Sequence, residues 1–317
     1  MPIIVPLLLY YTISDPFMSI WEYDDYRPAR GKSCNNDVIC AIRLLDKYAD
    51  SLHYNSFIIG SSRSDFYYVD DWRTHLSSTA SCFHFNQSAD NLYGSLQRIR
   101  YLYRRFDKID NLLLIIDADY LDDMSAHSGH LFRIPPQVTR NPIDGLLLRW
   151  EELRAFYQLE FQKEWISGNI QNSFQGTTFN PYLNEIYKNS AEAKLQTMNL
   201  DEYNKTLSKD LQLYKRSGVD SINDVVILKN QEIALKEIAL LARNGGTKLK
   251  VVVSPLYNQI QLNPSDVAIL KKIFGDSNVY DFSGINEYTC DIKNYYENSH
   301  YRPILCRKLL DIVYQEK

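Results

Sequence analysis

The 317-residue chain lacks any block of like charge: Lys and Arg number 35, Asp and Glu 39, for a formal net charge of −4. A nucleic-acid footprint needs a basic face, and nothing here supplies one, so no nucleic-acid partner is expected. Long apolar runs are lacking too. A bilayer span needs roughly 20 apolar residues, whereas the N-terminal stretch MPIIVPLLLYYTISDPF is apolar only from Pro2 to Ile13 and carries two prolines within that run. It has neither the basic flank nor the cleavage site of a secretory signal. Two expectations stand side by side: the stub of a membrane anchor, or a hydrophobic arm packed on the domain. Cysteine is scarce. Cys34, Cys40, Cys82, Cys290 and Cys306 form no CxxC pair and no metal-like spacing with histidine. Five thiols cannot all pair within one chain. Cys34 and Cys40 could bridge in an oxidising compartment, and buried thiols are the alternative. Internal repeats and low-complexity segments are absent.

What the chain does have is apolar content, 45% of residues, enough for the core of one large domain or two small ones. Tyrosine is abundant at 24 residues. Such rings serve at the edge of a core, or as flat platforms for the apolar faces of sugars. Short β-like runs occur at residues 56–60 (SFIIG), 81–86 (SCFHFN), 111–118 (NLLLIIDA), 248–254 (KLKVVVS) and 278–282 (NVYDF). Helical periodicity covers 36–53, 91–106, 222–243 and 303–314. The third ends at Asn244-Gly245-Gly246, a helix stop, and the last starts on Pro303. Strands alternating with helices imply a parallel sheet built through right-handed crossovers. The expected class is α/β, a three-layer α/β/α sandwich. Residues 1–54 form an arm and lead-in helix and residues 55–317 the main domain. Residues 121–220 break the alternation and read as a mostly helical insertion over one end of the sheet.

Chemistry concentrates in two places. Gly60-Ser61-Ser62-Arg63 follows the first strand, where ligands of open parallel sheets bind. Glycine permits a sharp turn. A helix starting just beyond would offer free N–H groups and its positive end to a developing anion. A serine there can attack a carbonyl while its own N–H holds the oxyanion, although a serine at that place also serves simply as a cap. The second place is YYENSHYRP, residues 295 to 303. Glu297 stands three residues before His300, so its carboxylate can reach Nδ1 and leave Nε2 free to take a serine proton. Arg63 could bind an anionic substrate group or pair with Asp65 or Asp117. Asp281, beside Ser283-Gly284, is expected to shape a turn and Arg302 to anchor the last loop. His127 and His130 lie near Asp122 and Asp123 in DDMSAHSGH, read as a solvated loop in preference to a metal site.

With these motifs the chain resembles the SGNH (GDSL-like) hydrolase and acyltransferase superfamily. Among its members it resembles bacterial proteins of cell-surface polymer modification, including alginate O-acetylation and teichoic-acid D-alanylation. FIIGSSRS, FNQSADN, LLLIIDADYLDD, KVVVSPLYNQ, VYDFSG and YYENSHYRP run in family order from about residue 55 to the end. ISDPF, residues 13–17, is similar to the segment that follows the membrane anchor in such proteins. The resemblance implies a flavodoxin-like SGNH fold and a catalytic triad. Ser62 falls on the nucleophile, with Ser64 as the alternative; His300 falls on the catalytic histidine and Glu297 on its acid. Ser61 takes the place of the family's aspartate. Asn86 and Ser88 fall where the family places its second oxyanion donor. Two departures stand out: glutamate replaces aspartate at 297, and Ile116-Asp117-Ala118-Asp119 replaces the family's Gly-x-Asn-Asp block. Losing one oxyanion donor typically costs about 100- to 1000-fold in turnover.

The resulting expectation is a serine esterase or O-acyltransferase acting on ester-linked acyl groups through an acyl-serine, with no cofactor and no metal. The resemblance implies an acylated carbohydrate, cell-surface polymer or small ester as substrate, a membrane-bound acyl-transfer partner, and an extracytoplasmic or membrane-associated location. The alternative is a catalytically lapsed SGNH-like protein that binds a glycan or assembles with a membrane-bound polysaccharide-biosynthesis complex.

Overall fold

The computed structural model describes residues 4–23, 26, 36–167, 177–203, 205, 214–216 and 218–315. Cys34, and with it the possible bridge to Cys40, lies outside them. Cys40, Cys82 and Cys306 are buried; Cys290 is exposed.

The strands are β1 (Ser56–Ile59), β2 (Cys82–His84), β3 (Asn111–Ile116), β4 (Thr178–Asn180), β5 (Glu185–Tyr187), β6 (Ser221–Ile222), β7 (Lys248–Val253), β8 (Ile260–Gln261) and β9 (Val279–Asp281). Five of them form one sheet in the order β2-β1-β3-β7-β9, with every neighbouring pair parallel. Every residue of β1 and β3 is buried. This explains their unbroken apolar runs, since helices cover both faces of a parallel sheet. Alternation along the strands sorts the core into two layers. Phe57, Ile59, Leu112, Leu114 and Ile116 pack with the helices Asp37–Leu52, Leu92–Arg105 and Lys229–Asn244. Ile58, Leu113, Ile115 and Val252 pack with the helices Val69–Arg73 and Pro303–Val313. The protein is a three-layer α/β/α sandwich. Counted within the sheet, the strand order is 2-1-3-4-5, so the winding reverses at β1. The crevice beyond the carboxyl ends of β1 and β3 is where such sheets take ligands.

Several elements differ from their sequence patterns. The third helix begins at Lys229, not at residue 222, because the Asp266 carboxylate captures the N–H groups of Val226 (2.9 Å) and Ile227 (3.1 Å) and holds that segment extended. β3 ends at Ile116 because Asp117 turns to cap the short helix Ala118–Asp122, accepting from the Tyr120 N–H at 3.1 Å. The 121–220 segment contains the helices Pro142–Phe156, Leu159–Ser167 and Asn189–Thr197, but also the antiparallel hairpin β4–β5. That hairpin lies along the outer edge of β2 and covers it. The Leu183 carbonyl accepts from the His84 N–H at 3.0 Å, and the Asn184 amide donates to the His84 carbonyl at 2.8 Å. At the N-terminus, helix Ile4–Ser14 packs on helix Pro142–Phe156 through Tyr11, whose hydroxyl donates to Glu152 at 2.7 Å. No helix among the described residues is long and apolar enough to cross a membrane.

Beneath the carboxyl ends of β1 and β2 sits Arg98, with none of its surface exposed. Its guanidinium donates to the carbonyls of Phe85 (2.9 Å) and Gly60 (3.4 Å), to Ser95 Oγ (2.7 Å) and to the buried Asp90 carboxylate. Gly60 is required here by close approach. A Cβ on it would sit 2.9 Å from the Ser64 Cβ and 3.0 Å from the Ile115 carbonyl oxygen. Arg98→Met leaves the buried Asp90 carboxyl without its countercharge, for an expected loss of about 3–5 kcal/mol in denaturant unfolding. Arg98→Met with Asp90→Leu should recover part of it. A loss below about 1 kcal/mol for the single change would show that the pair does not carry this corner.

Candidate active site

The turn after β1 is built by its serines. Ser61 Oγ accepts from the Arg63 N–H at 3.3 Å and caps a single 3₁₀ turn, Ser62–Ser64. The chain does not enter an α-helix until Val69, so the helix-end field expected at Ser62 shrinks to one turn. Ser62 is half-buried, and its N–H has no acceptor among the described residues.

The second loop is delivered by the last strand-like contact of the chain. Tyr295 and Tyr301 form an isolated antiparallel bridge, and the Arg302 N–H donates to the Asn294 carbonyl at 2.7 Å. The Tyr295 hydroxyl donates to the Pro255 carbonyl at 2.9 Å, and the Tyr301 hydroxyl lies 3.2 Å from Ser254 Oγ. These bonds fix the loop to the carboxyl end of β7. Arg302 anchors it from behind through a two-pronged pair with Glu192, at 2.9 and 3.0 Å.

The two loops meet. Ser62 Oγ stands 2.8 Å from His300 Nε2, a contact between residues 238 apart in sequence. His300 Nδ1 is hydrogen-bonded to Glu297 Oε1, and Glu297 Oε2 accepts from the Ser299 N–H at 2.8 Å. The longer side chain of glutamate is folded back inside the hairpin, where it reaches the ring. Burial pushes the Glu297 carboxyl up, but the His300 and Ser299 bonds outweigh it and hold the group below its ordinary value. Both side chains remain partly exposed, 29% for His300 and 23% for Glu297, which leaves room for a reactant to approach.

Other sequence candidates are placed elsewhere. Ser64 is fully buried, with its hydroxyl given to the Ser61 carbonyl at 2.7 Å, and it is out of reach as a nucleophile. Arg63 is held by Asp117 and, at 3.0 Å, by Asp119, not by Asp65. With two carboxylates already on its guanidinium, Arg63 is not the free cation an anionic substrate needs. The same pairing neutralises Asp117, the acid that replaces the asparagine block. The Ser88 N–H is given to the Asp37 carboxylate at 2.7 Å, so it does not stand open toward Ser62. Asn86 Nδ2 donates to Asp65, which commits one of its two amide hydrogens. His127 is tied to Asp123 at 2.8 Å and to the Asn91 amide at 3.0 Å. Among the described residues no group of three or more His, Cys, Asp and Glu is arranged to hold a metal ion. Asp281 shapes its turn as expected, accepting from the N–H and hydroxyl of Ser283 at 3.0 and 2.6 Å. A small cavity of about 60 Å³ between Ile39, Ile42, Pro135 and Leu148 shares no residue with this site.

Three neighbours carry no sequence signal of their role. His84, at the end of β2, lies 3.2 Å from Ser64 Oγ through Nε2 and 3.2 Å from Glu185 Oε1 through Nδ1. Glu185 also accepts from the Val69 N–H (2.7 Å) and the Tyr187 hydroxyl (2.8 Å). This buried Ser–His–Glu line runs under the serine turn and props it from the β2 side. Asp65 is the third. Burial pushes its carboxyl up to about 6, against the pull of His84 and His300.

No protein-family model matches the chain, and no curated protein sequence matches it.

Asp65 sets a pH dependence whose sign follows from its direction. Its folded value, about 6, lies above the ordinary value of 3.8. Between the two the folded protein holds the proton and the unfolded chain has lost it, so stability falls as pH rises through that window. Asp65→Asn removes this penalty. The melting temperature of the variant relative to the parent should therefore rise from about pH 4 to about pH 7, and a difference that does not change with pH would contradict the assignment.

Proposed function

We propose that the protein is a serine ester hydrolase or O-acyltransferase acting through an acyl-serine on a carbohydrate or other small ester. The 2.8 Å contact between Ser62 Oγ and His300 Nε2, with Glu297 on the far nitrogen, carries this reading. Ser62 loses its proton to Nε2 as Oγ bonds to the ester carbonyl carbon. Glu297 keeps Nδ1 protonated and offsets the charge of the imidazolium. The free Ser62 N–H is available to the oxyanion. Collapse of the tetrahedral species breaks the bond to the alcohol oxygen, which takes the proton from Nε2. Water or a sugar hydroxyl then attacks the acyl-serine, giving its proton to the same nitrogen, and Ser62 is regenerated. Neither metal nor organic cofactor is needed for these steps. The family order of the motifs supports an SGNH-like enzyme, a carbohydrate polymer as acceptor, an extracytoplasmic or membrane-associated setting and a membrane-bound acyl-transfer partner.

A second reading, a lapsed enzyme that binds a glycan or assembles with a membrane complex, is favoured by one observation. The Ser88 N–H is spent on Asp37, so the second oxyanion donor is not where the family pattern puts it.

A fluorophosphonate probe should label the protein, and Ser62→Ala should abolish the labelling. No labelling of folded protein by several such probes, together with saturable glycan binding, would establish the second reading instead. His300→Ala should lower kcat on an aryl acetate by about 10⁴-fold with little change in melting temperature, since the ring is partly exposed; a large drop in Tm would make the histidine structural. Glu297→Gln should cost less than His300→Ala, about 10- to 1000-fold. Unchanged turnover would remove its orienting role.

A further inference from the structure

We propose that Lys188 forms an anion subsite for the alcohol half of the ester, selecting substrates whose leaving alcohol carries a carboxylate or a phosphate. This deepens the acyl-serine reading and rests on it.

Lys188 directly follows β5, between the hairpin that covers β2 and the helix Asn189–Thr197. Its Nζ stands 4.8 Å from the ring centroid of Phe66 and 5.0 Å from that of Tyr296. The two ring centroids lie 4.9 Å apart, and the Phe66 ring stands nearly perpendicular to the His300 imidazole with centroids 6.2 Å apart. Ammonium, the two buried aromatic rings and the imidazole thus form one continuous line of contacts, with Lys188 and His300 at its partly exposed ends. Phe66 belongs to the chain leaving the serine turn, and Tyr296 immediately precedes Glu297.

The ammonium is oriented by the rings, and Lys188 is half-buried. Among the described residues its side chain has no carboxylate within ion-pair reach. Its charge is nevertheless felt by both nearby acids, Glu297 and Asp65. Each of those acids is already engaged, Glu297 by His300 and Asp65 by Asn86. The other cation beside the serine, Arg63, is used by Asp117 and Asp119. Lys188 is therefore a positioned charge without a counter-ion of its own, at the rim of the Ser62–His300 pair.

Which half of the ester it meets follows from proton transfer. His300 Nε2 must hand its proton to the leaving oxygen, so the alcohol half has to sit on the imidazole side of Ser62. Lys188 is joined to the imidazole through Phe66 and Tyr296, so its ammonium lies on the imidazole side of the turn. An anionic group near the esterified hydroxyl would gain a charge-assisted bond there, whereas a charge on the acyl chain would point away.

The test compares wild type, Lys188→Met and Lys188→Arg on four acyl esters: the acetate of a neutral alcohol, the acetate of a hydroxycarboxylate, the acetate of a sugar phosphate, and the hemisuccinate of a neutral alcohol. The ratio of kcat/KM for either anionic-alcohol acetate over the neutral acetate should fall about 10-fold or more in Lys188→Met, mainly through KM, and Lys188→Arg should restore most of it. Which of the two acetates responds more tells carboxylate from phosphate. An unchanged ratio for both, or a selective loss confined to the hemisuccinate, overturns the subsite. In parallel, calorimetry of the same two anionic acetates is carried out with Ser62→Ala and with Ser62→Ala/Lys188→Met. If no ester is turned over by the wild type, the acyl-serine reading has failed on its own account. The binding arm still decides on Lys188, because equal affinity in the two proteins sinks the subsite and a loss of about 10-fold supports it.

Discussion

A guanidinium sealed in the core is the constraint on which this molecule is organised. Arg98 has no access to solvent, and a buried charge of that kind is tolerated only when it is paired; its two terminal nitrogens are bonded, while Nε has no partner among the described residues. Asp90 supplies the countercharge, and the terminal nitrogens also hold the carbonyls of Gly60 and Phe85, the residues directly after β1 and β2. Two strand ends are thereby fixed to each other at the switch point of the sheet. Gly60 can sit there only because it has no side chain to collide with Ser64 and Ile115. The direction in which the chain leaves β1, and with it the position of the Ser62 hydroxyl, follows from that corner. His84 and Glu185 support the same turn from the other side, so the hydroxyl projects from a rigid base.

The imidazole is brought to this base by a different set of forces. Its loop is a small hairpin closed by the Tyr295–Tyr301 bridge and pinned to β7 by the two tyrosine hydroxyls. The segment 121–220 takes part as well. Glu192 holds Arg302, the Tyr203 hydroxyl is bonded to the Tyr295 carbonyl, and Lys188 lies over Phe66 and Tyr296. The insertion therefore touches both loops of the candidate site and is a working part of it, not a separate cover. Its Lys188 and Glu192 place charge beside the two loops.

Much of this was legible in the sequence, for identifiable reasons. The apolar runs at 56–60, 111–118 and 248–254 stand out because strands buried on both faces have nothing polar to interrupt them. Glu297 and His300 are local to each other, so three residues of spacing describe their contact. Gly60 and Ser62 declare themselves by following a strand. Other features depend on residues far apart in the chain. Asp266 delays the third helix by capturing N–H groups about 40 positions away. Asp37 removes the Ser88 N–H from the site across 51 positions. Arg63 had three partners in view and took Asp117, adding Asp119, because the short helix after β3 brings both acids to the same edge. The hairpin β4–β5 carried no strong strand pattern, since it is short and only partly buried. Periodicity cannot reveal an element whose role is to cover an edge.

The most direct measurement is chemical trapping of the covalent intermediate. The protein is mixed with an activated acetate ester, quenched in acid within the first turnover, digested and mapped by mass spectrometry. The account predicts one acetyl group, on the peptide containing Ser62 and on its hydroxyl. Ester turnover with no acyl adduct at Ser62, or an adduct on a different residue, would contradict it.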